Sequence, residues 1–415
     1  MAKVLEALVA KGRRVRRPRE QKEVAFALAD LSTHEELHDR IVKKGGIRSL
    51  LQLLKSQDAE AQRFSALCIA NCASAVFTRL QIVEDGALEP IVNFIQNDEA
   101  DMIVRQYAAM ALGNLAAEPD NHEEIIKIDG IEALVALLKA GDIESGRYAA
   151  FALSNIAANA NHRNGIVSSG ALPALVALAC SEDLNAQRQS LSCVRGLCIT
   201  PAYRIQVVRD GFMDPLVLMA RTDDTGLLRE VAAAFNCLSC MEENKMEIVD
   251  RAIANIISMT MCGDPEVERH ACCTVANLME MSELHNRLLE ERGLSPIIAL
   301  SQSGDANSRV EATRAMANIT ANPDMQQAVL REGALKSMIE ALTSGEGNCL
   351  RFAALSIANL ATTVSSQVKI VQMGALKPLV AIAKAADTQL EARRYAVLAI
   401  ANLTATVANH PSILE

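Results

Sequence analysis

The sequence predicts an all-α fold, a solenoid of about ten repeats. Three observations support this prediction: a pattern that recurs at a fixed period, the glycine that starts each unit, and the segment that closes it. A glycine followed by an apolar run recurs at intervals of 40 to 44 residues, and each unit closes on an Ala- and Leu-rich segment. The starts are Gly46, Gly86, Gly130, Gly170, Gly211, Gly293, Gly333 and Gly374, with Ala252 at the ninth expected position. A fixed period of this length is typical of helical arrays in which no unit can bury its apolar face alone.

Each unit is predicted to contain three helices, as the stretch 121–158 illustrates. "NHEEIIKID" indicates a short helix that ends in a sharp turn at Gly130, where the missing Cβ permits the turn. "IEALVALLKAGD" has apolar residues at helical spacing and indicates a second helix, broken at Gly141 and Asp142. "SGRYAAFALSNIAAN" indicates the third and longest helix.

We predict one solenoid over residues 1–415. Its units are a partial repeat 1–33, repeats at about 34–74, 75–117, 118–158, 159–199, 200–240, 241–281, 282–322, 323–362 and 363–405, and the start of a further repeat at 406–415. "LEALVA" near the beginning matches a second helix, and "NHPSILE" at the end matches a first helix. The expectation is therefore a segment of a longer protein.

Composition narrows the function classes. Half of the residues are hydrophobic, aromatics are 3% and Trp is absent, so the core is expected to be aliphatic. The net charge of −9 gives no reason to expect nucleic acid. No apolar stretch approaches the roughly 18 residues that span a bilayer, and no secretory signal is visible, so we expect no direct membrane insertion and a cytoplasmic location. Association with an organelle or the cytoskeleton through partners, and a nuclear location, stay open.

No catalytic, metal or cofactor site is expected. Eight of the eleven Cys lie between Cys180 and Cys273, and Cys237 and Cys240 among them form a Cys-x-x-Cys pair. No second pair and no histidine stands at a metal-ligand spacing from it. Reduced thiols in a helical core are the expected state. A Gly-rich phosphate loop and a Ser/His/Asp or Cys/His constellation are also missing from the sequence.

A ladder of asparagines marks the predicted third helices. Asparagine is a poor residue for a helix interior because its amide competes for backbone partners. Eight of the ten aligned positions nevertheless carry it: Asn71, Asn114, Asn155, Asn236, Asn277, Asn318, Asn359 and Asn402, with Asp30 and Gly196 at the other two. Each amide offers a donor and an acceptor, so the ladder can bind the main chain of a partner peptide or satisfy the backbone between repeats. Both roles are kept open.

Two further stripes accompany the asparagines. A base stands eight residues earlier at Lys22, Arg63, Arg147, Arg188, Arg269, Arg351 and Arg394, and an aromatic stands seven residues earlier at Phe64, Tyr107, Tyr148, Phe352 and Tyr395. The bases suit acidic partner groups, which Arg grips in a bidentate way, or the helix ends of a neighbouring repeat. The aromatics are candidate anchors or buried packing residues. The central repeats lack them, which suggests two binding segments with a weaker middle.

The Gly-Ala-Leu-x-Pro-Leu-Val starts and the Ala-Leu-x-Asn-Leu-Ala ends resemble the armadillo repeat over essentially the whole chain. The resemblance implies a right-handed superhelix whose concave groove is lined by the asparagines. Nuclear import receptors of the importin-alpha family place Trp four residues before them, where this chain has Leu67, Met110, Phe151, Leu355 and Leu398. The basic stripe is closer to the beta-catenin family, and the regular units look more like the fungal vacuolar armadillo tether and its plant and protist relatives.

These patterns predict a non-catalytic scaffold or adaptor. Its partner is expected to be a protein, bound in the groove through an extended, helical or acidic segment, while capture of an intramolecular tail and self-association stay open. The alternatives are a regulatory or docking array of a larger ubiquitin ligase, kinesin or TIR-type protein, and an import receptor. The stretch from Lys11 to Lys22, with seven bases in twelve residues, is predicted to be a solvated loop, with nuclear-localisation and anionic-membrane functions as alternatives.

Overall fold

The computed structural model describes residues 2–343 and 347–414, and every regular element in those ranges is helical. The helices form two compact units, Met1–Pro215 and Leu216–Glu415. The predicted all-α repeat solenoid is thus confirmed.

Ten long helices correspond to the predicted third helices. They are α2 (Pro18–Leu31), α5 (Ala59–Ser74), α8 (Met102–Ala116), α11 (Ile143–Ala157) and α14 (Leu184–Cys198) in the first unit, and α17 (Thr225–Ser239), α19 (Pro265–Leu278), α22 (Ala306–Thr320), α25 (Gly347–Leu360) and α28 (Leu390–Leu403) in the second. Within each unit these helices pack side by side in chain order.

Shorter helices complete the repeats. The helices at second positions are α1 (Ala2–Arg14), α4 (Gly46–Leu53), α7 (Leu88–Gln96), α10 (Gly130–Lys139), α13 (Ala171–Ala179), α16 (Met213–Met219), α21 (Leu294–Leu300), α24 (Ala334–Thr343) and α27 (Leu376–Lys384). Those at first positions are α3 (His38–Lys43), α6 (Arg79–Glu84), α9 (His122–Lys127), α12 (Arg163–Ser168), α15 (Pro201–Arg209), α20 (His285–Glu290), α23 (Pro323–Arg331), α26 (Val364–Gln372) and α29 (His410–Leu414). Short 3-10 turns precede six of the first helices, at Glu35–Leu37, Val76–Thr78, Pro119–Asn121, Ala160–His162, Ser282–Leu284 and Val407–Asn409.

The core of each unit is aliphatic and lies between the layers of second and third helices. In the first unit, α7, α10 and α13 pack on one another and against α8, α11 and α14. Leu112 and Leu153 are fully buried there. Burial of apolar surface in this strip is the main source of stability, at roughly 25 cal/mol for each Å².

Gly130, the first residue of α10, has a different role from the one predicted. The left-handed residue of this turn is Asp129 (φ 57°), while Gly130 is already the first residue of the helix. A Cβ on Gly130 would lie 2.6 Å from the carbonyl oxygen of Ile125, so glycine is required by close backbone contact. Gly86 (φ 84°) does supply the left-handed turn, as predicted.

One repeat departs from the three-helix prediction. Over residues 241–281 the first and second helices are fused into a single helix, α18 (Glu242–Met259), which runs through the buried Ala252. Ala252 stands where the other repeats have glycine, which is either left-handed, as at Gly86, or in close backbone contact, as at Gly130. A Cβ at this position disfavours both kinds of turn and leaves a continued right-handed helix. The missing glycine is therefore the physical reason for the fusion.

Aspartate starts most of the third helices. The side chains of seven N-cap residues accept hydrogen bonds from backbone N–H groups in the first turn: Asp58, Asp101, Asp142, Asp183, Asp224, Asp264 and Asp305. Such a cap satisfies donors that the helix itself leaves unpaired. It also fixes the residue at which each long helix begins, and therefore the position of every side chain along the helix axis.

Side chains of the first helices tie each repeat to the end of the preceding third helix. His122 Nε2 lies 2.7 Å from the carbonyl oxygen of Ala116, and His285 Nε2 lies 2.9 Å from that of Met279. In both cases the acceptor is six residues earlier in the chain. These carbonyls end a helix and have no partner within it, so the imidazoles act as caps.

The cysteines are free thiols, and several are held in the protonated form by burial. Desolvation raises the pKa of Cys193 to about 12 and that of Cys273 to about 11. The pKa of Cys272 is also well above its ordinary value, again chiefly because of burial. A protonated thiol is a poor nucleophile and a poor metal ligand. Within residues 2–343 and 347–414 no group of three or more His, Cys, Asp or Glu side chains could hold a metal ion.

Among the described helices, none alone is long and apolar enough to cross a membrane. Two bent pairs, 59–84 and 390–414, reach that length and composition only when their two helices are taken together.

Candidate functional site

The asparagine ladder connects neighbouring third helices. In most rungs Nδ2 donates to a backbone carbonyl of the preceding repeat, at the residue just before that repeat's own ladder position. The bonds are Asn114 to Ala70 (2.9 Å), Asn155 to Gly113 (3.0 Å), Asn318 to Ala276 (2.9 Å), Asn359 to Ala317 (3.2 Å) and Asn402 to Ala358 (3.2 Å). Asn71 instead donates to Ser32 Oγ at 3.0 Å. The ladder therefore has a structural role in every one of these joints.

One face of these amides stays accessible. Seven of the eight ladder asparagines are only half-buried. The inter-repeat bond uses one N–H group of the amide, and the carbonyl oxygen Oδ1 takes no part in it. An amide can form up to four hydrogen bonds, so Asn114 and Asn155 can still accept from a donor on a partner.

Asn277 is the exception because both ends of its amide are occupied. Its Nδ2 donates to Ser239 Oγ at 3.0 Å, and its Oδ1 accepts from Arg314 Nη2 at 2.8 Å. It is also the buried member of the ladder, at 8% exposure. Asn236 differs as well, since its amide nitrogen lies 3.2 Å from Nδ1 of His270.

Three of the seven bases in the basic stripe pair with acids at the start of the next third helix. Arg63 binds Asp101, the N-cap of α8, with Nε to Oδ1 at 2.8 Å, and Arg351 binds Glu391 in the first turn of α28 at 3.0 Å. Arg229, one position along, binds Asp264 at 2.7 Å. Lys22 binds Glu60 in α5. Each base thus bonds the start of the next repeat's long helix, which was one of the two alternatives for this stripe.

The remaining stripe positions vary. Arg147 pairs with Glu144 of its own helix. Arg188 has a partner, and Arg269 contributes to the lowered pKa of Asp305, whose main cause is the hydrogen bond from the Ser308 backbone. Arg394 is exposed.

Ion pairing lowers the pKa of two capping aspartates. The hydrogen bond from Arg63 is the largest cause of the lowered pKa of Asp101, opposed by desolvation and supported by backbone N–H groups of α8. Arg229 lowers the pKa of Asp264 in the same way. Both carboxylates are therefore ionised at neutral pH, and their charge is compensated within the chain.

All five predicted aromatics are half-buried at the third-helix layer. Phe64 packs edge-on against Phe26, with ring centroids 5.2 Å apart. The guanidinium of Arg147 lies 4.8 Å from the ring centroid of Tyr148, and that of Arg351 lies 4.4 Å from that of Phe352. Tyr107 and Tyr395 occupy the equivalent positions of their repeats.

In the first unit, residues of the asparagine ladder, the basic stripe and the aromatic stripe meet in one cleft. It has a volume of about 330 Å³ and is lined by Met110, Asn114, Arg147, Tyr148, Phe151, Asn185 and Gln189. Its walls combine two rings, a thioether, three amides and a guanidinium, the mixture of apolar surface and few polar groups that is typical of binding sites. The Arg147 side chain is about one quarter exposed, so its guanidinium group can be reached from the cleft.

The second unit carries an ionic cluster at the equivalent layer. Arg314 stands four residues before Asn318 and binds Glu311 (2.7 Å) and Glu280 (3.3 Å). Glu280 also binds the buried Lys245 at 2.6 Å. This network lies over Asn277 and fills the space that aromatic and apolar residues occupy in the first unit.

Sequence reasoning missed several of these residues. Phe26 stands four residues before Asp30, where it is 54% exposed, and the repeat alignment could have identified it. Gln189 stands seven residues before Gly196, at the aromatic-stripe position of the repeat that lacks a ladder asparagine, so the repeat alignment could have identified it. Asn185 lies outside all three stripes, and its spacing gave no signal. The capping aspartates were visible as recurrent Asp at third-helix starts, for example in Gly-Asp at residues 141–142 and 263–264.

The fold and the ladders define a helical repeat protein with side chains arrayed along its third helices. No family model matches the chain. It is 31% identical over 122 residues to vacuolar protein 8 of Schizosaccharomyces pombe, a stretch that covers 29% of this chain and 22% of the relative. It is 30% identical over 105 residues to a probable importin subunit alpha-A of Dictyostelium discoideum, which covers 25% of this chain and 19% of the relative. It is 34% identical over 104 residues to U-box domain-containing protein 19 of Arabidopsis thaliana, with coverages of 25% and 15%.

A crystal structure of an engineered protein matches nearly the whole chain. The TM-score is 0.82 at 28% identity, and the match covers 96% of this chain and 98% of the engineered one. The curated relatives are all armadillo-repeat proteins, and they support the predicted resemblance of this chain to the armadillo-repeat family. The matched stretches span less than a quarter of each curated relative's own length.

Proposed function

We propose that the chain is a non-catalytic, cytoplasmic protein-interaction scaffold that binds a partner segment along its third-helix face. The cleft of the first unit, where Asn114, Arg147 and Tyr148 converge, is the single observation that carries the proposal. Tyr148 and Phe151 offer apolar contact area at a low cost in side-chain entropy, and Asn114 and Gln189 offer hydrogen bonds. The armadillo-repeat relatives support the same class of function.

The cleft favours a segment that carries both an apolar side chain and a hydrogen-bond acceptor. The rings would contact the apolar group, and the partly exposed guanidinium of Arg147 would donate to a carboxylate or carbonyl oxygen. Because three of the other stripe bases, Lys22, Arg63 and Arg351, are already paired with acids of the next repeat, a long acidic segment is less favoured than one acidic or polar group at this position.

The test is site-specific photo-crosslinking in cells of the source organism. A benzophenone amino acid at Gln189 places the reactive group in the cleft, and the same amino acid at Glu132, exposed on α10 of the other layer, is the matched control. We expect a protein adduct from Gln189 that Glu132 does not give and that Tyr148→Ala abolishes. Equal adducts from both positions, or adducts that Tyr148→Ala leaves unchanged, would sink the proposal.

A second candidate is supported by the U-box relative. A short match to a U-box domain-containing protein fits a docking array of a larger ubiquitin ligase. In that case the cleft would present substrates to a catalytic domain outside these residues. Adducts that are ubiquitinated in cells and accumulate when the proteasome is blocked would favour this second function.

A further inference from the structure

The first 22 residues differ in charge from the rest of the chain. They hold eight Lys or Arg against two acids, Glu6 and Glu20, whereas residues 23–415 hold 33 Lys or Arg against 48 acids. A local basic patch on an otherwise acidic molecule produces a positive potential confined to one end of the first unit.

The bases of α1 share a face with small apolar residues. At 100° per residue, an arc of about 120° contains Lys3, Val4, Ala7, Ala10, Lys11 and Arg14. All six are exposed, while Leu5 and Val9 on the opposite side are buried in the unit. The arc contains no acid. The negative surface potential of anionic lipids attracts exposed bases of this kind.

Intramolecular contacts account for only part of this charge. Arg13 Nη2 donates to the carbonyl oxygen of Gly45 at 2.9 Å, so Arg13 has a structural role. Arg17 and Arg19 form exposed pairs with Glu20 and Glu23 at 3.4 and 3.7 Å, which contribute little.

Three further bases lack such contacts. Within the part of the chain that the structure describes, Lys11, Arg14 and Arg16 form no ion pair. The C-terminal dipole of α1 favours bases in its last turn, but it does not account for Arg16 in the loop or for Lys3 in the first turn.

We propose that the outer face of α1, together with the loop that carries Arg16, is a docking surface for an anionic lipid bilayer. The surface lies outside the cleft of the first unit, so this function is independent of partner binding there. Its bases line an exposed helix and loop, which suits a flat polyanionic surface better than a single acidic peptide side chain. The arc has no aromatic residue on which a base could stack, which disfavours single-stranded nucleic acid.

The experiment is vesicle flotation with the full chain. The probes are phosphatidylserine–phosphatidylcholine vesicles and pure phosphatidylcholine vesicles, each at low salt and at physiological salt. The test variant is Lys11→Gln, Arg14→Gln, Arg16→Gln. The control variant is Arg331→Gln, Lys377→Gln, Lys384→Gln, which removes the same charge from three exposed positions of the second unit. Circular dichroism verifies that both variants keep the helicity of the parent chain.

We expect the parent chain and the control variant to float with the serine-containing vesicles only, and more weakly at higher salt. Each Lys or Arg near an anionic surface contributes about fivefold to binding, so the test variant should bind roughly 100-fold more weakly. Equal binding to pure phosphatidylcholine, or full binding by the test variant, overturns the proposal. Binding to single-stranded RNA without binding to vesicles also overturns it and assigns the patch to nucleic acid.

Discussion

The side chain of a ladder asparagine can hold two repeats together and still face outward. Its amide nitrogen bonds the carbonyl of the preceding long helix, as Asn155 does with Gly113, while its oxygen remains on the third-helix face. This accounts for the recurrence of a poor helix former in a helix interior. A side chain without a hydrogen-bond donor at the ladder position would leave this carbonyl without its partner in the next repeat.

Asn155→Ala is predicted to lower the free energy of unfolding by about 1–3 kcal/mol, because it leaves the Gly113 carbonyl with one bond fewer in a partly buried joint. Urea unfolding followed by circular dichroism measures the change. Asn185→Ala is the matched control, since Asn185 is exposed on the same face, and it should stay within about 0.5 kcal/mol of the parent. Equal effects of the two substitutions would mean that the inter-repeat bond adds nothing.

Asp264→Asn is predicted to make stability less sensitive to acid. The pKa of Asp264 is lowered in the folded state, chiefly by Arg229, so the charged form stabilises the fold above the unfolded pKa of about 3.9. That contribution is lost as the pH falls below about 4 through the lower folded value. Asparagine keeps the N-cap but cannot form the ion pair.

Thermal unfolding of the parent and Asp264→Asn at neutral pH and below pH 4 is the measurement for this residue. The parent should be the more stable at neutral pH, and the difference should shrink in acid. Asp387→Asn, at an exposed position, serves as the control. A constant difference at all pH values would show that the Arg229 pair does not stabilise the fold.

At the scale of the helix, one residue decides whether a repeat has three helices or two. Where a left-handed residue is present, the chain turns between first and second helices, as at Gly86. Where alanine replaces it, α18 continues for 18 residues. The sequence showed that Ala252 was unusual, but the period of the pattern was unchanged, so a break in the helix was still predicted there.

Ala252→Gly is predicted to destabilise the chain by about 1 kcal/mol, because glycine is unfavourable within a continuous helix. If the segment instead turned at this position, glycine would stabilise it. The sign of the change in the free energy of unfolding therefore distinguishes a continuous α18 from two helices joined by a turn. Gly86→Ala is the comparison, and it should cost about 1–2 kcal/mol because it forces an L-residue into a left-handed turn. Urea unfolding measures both changes.

At the scale of the whole molecule, the period and the apolar spacing were enough to predict the fold class, because they depend only on residues within one repeat. The partners of the basic stripe were harder to predict. Arg63 and Asp101 are 38 residues apart, and Arg229 and Asp264 are 35 apart, so their contact depends on how one repeat stacks on the next. The ionic cluster joins Arg314 of α22 to Glu280, just after α19, and through it to Lys245 of α18, so no single-repeat pattern contains it.

The asparagine ladder has a consequence for how such a chain can change length. A regular repeat carries an amide that bonds the preceding repeat, as Asn359 does with Ala317, and a carbonyl that receives the next amide, as Ala358 does from Asn402. A duplicated copy of such a repeat would bring both halves of the ladder joint with it, so its insertion would leave no ladder bond unmade. The repeat that contains Asn277 lacks this property, since its amide is matched to Arg314 of the next repeat. Duplications and losses should therefore be tolerated among the regular repeats and selected against at that one.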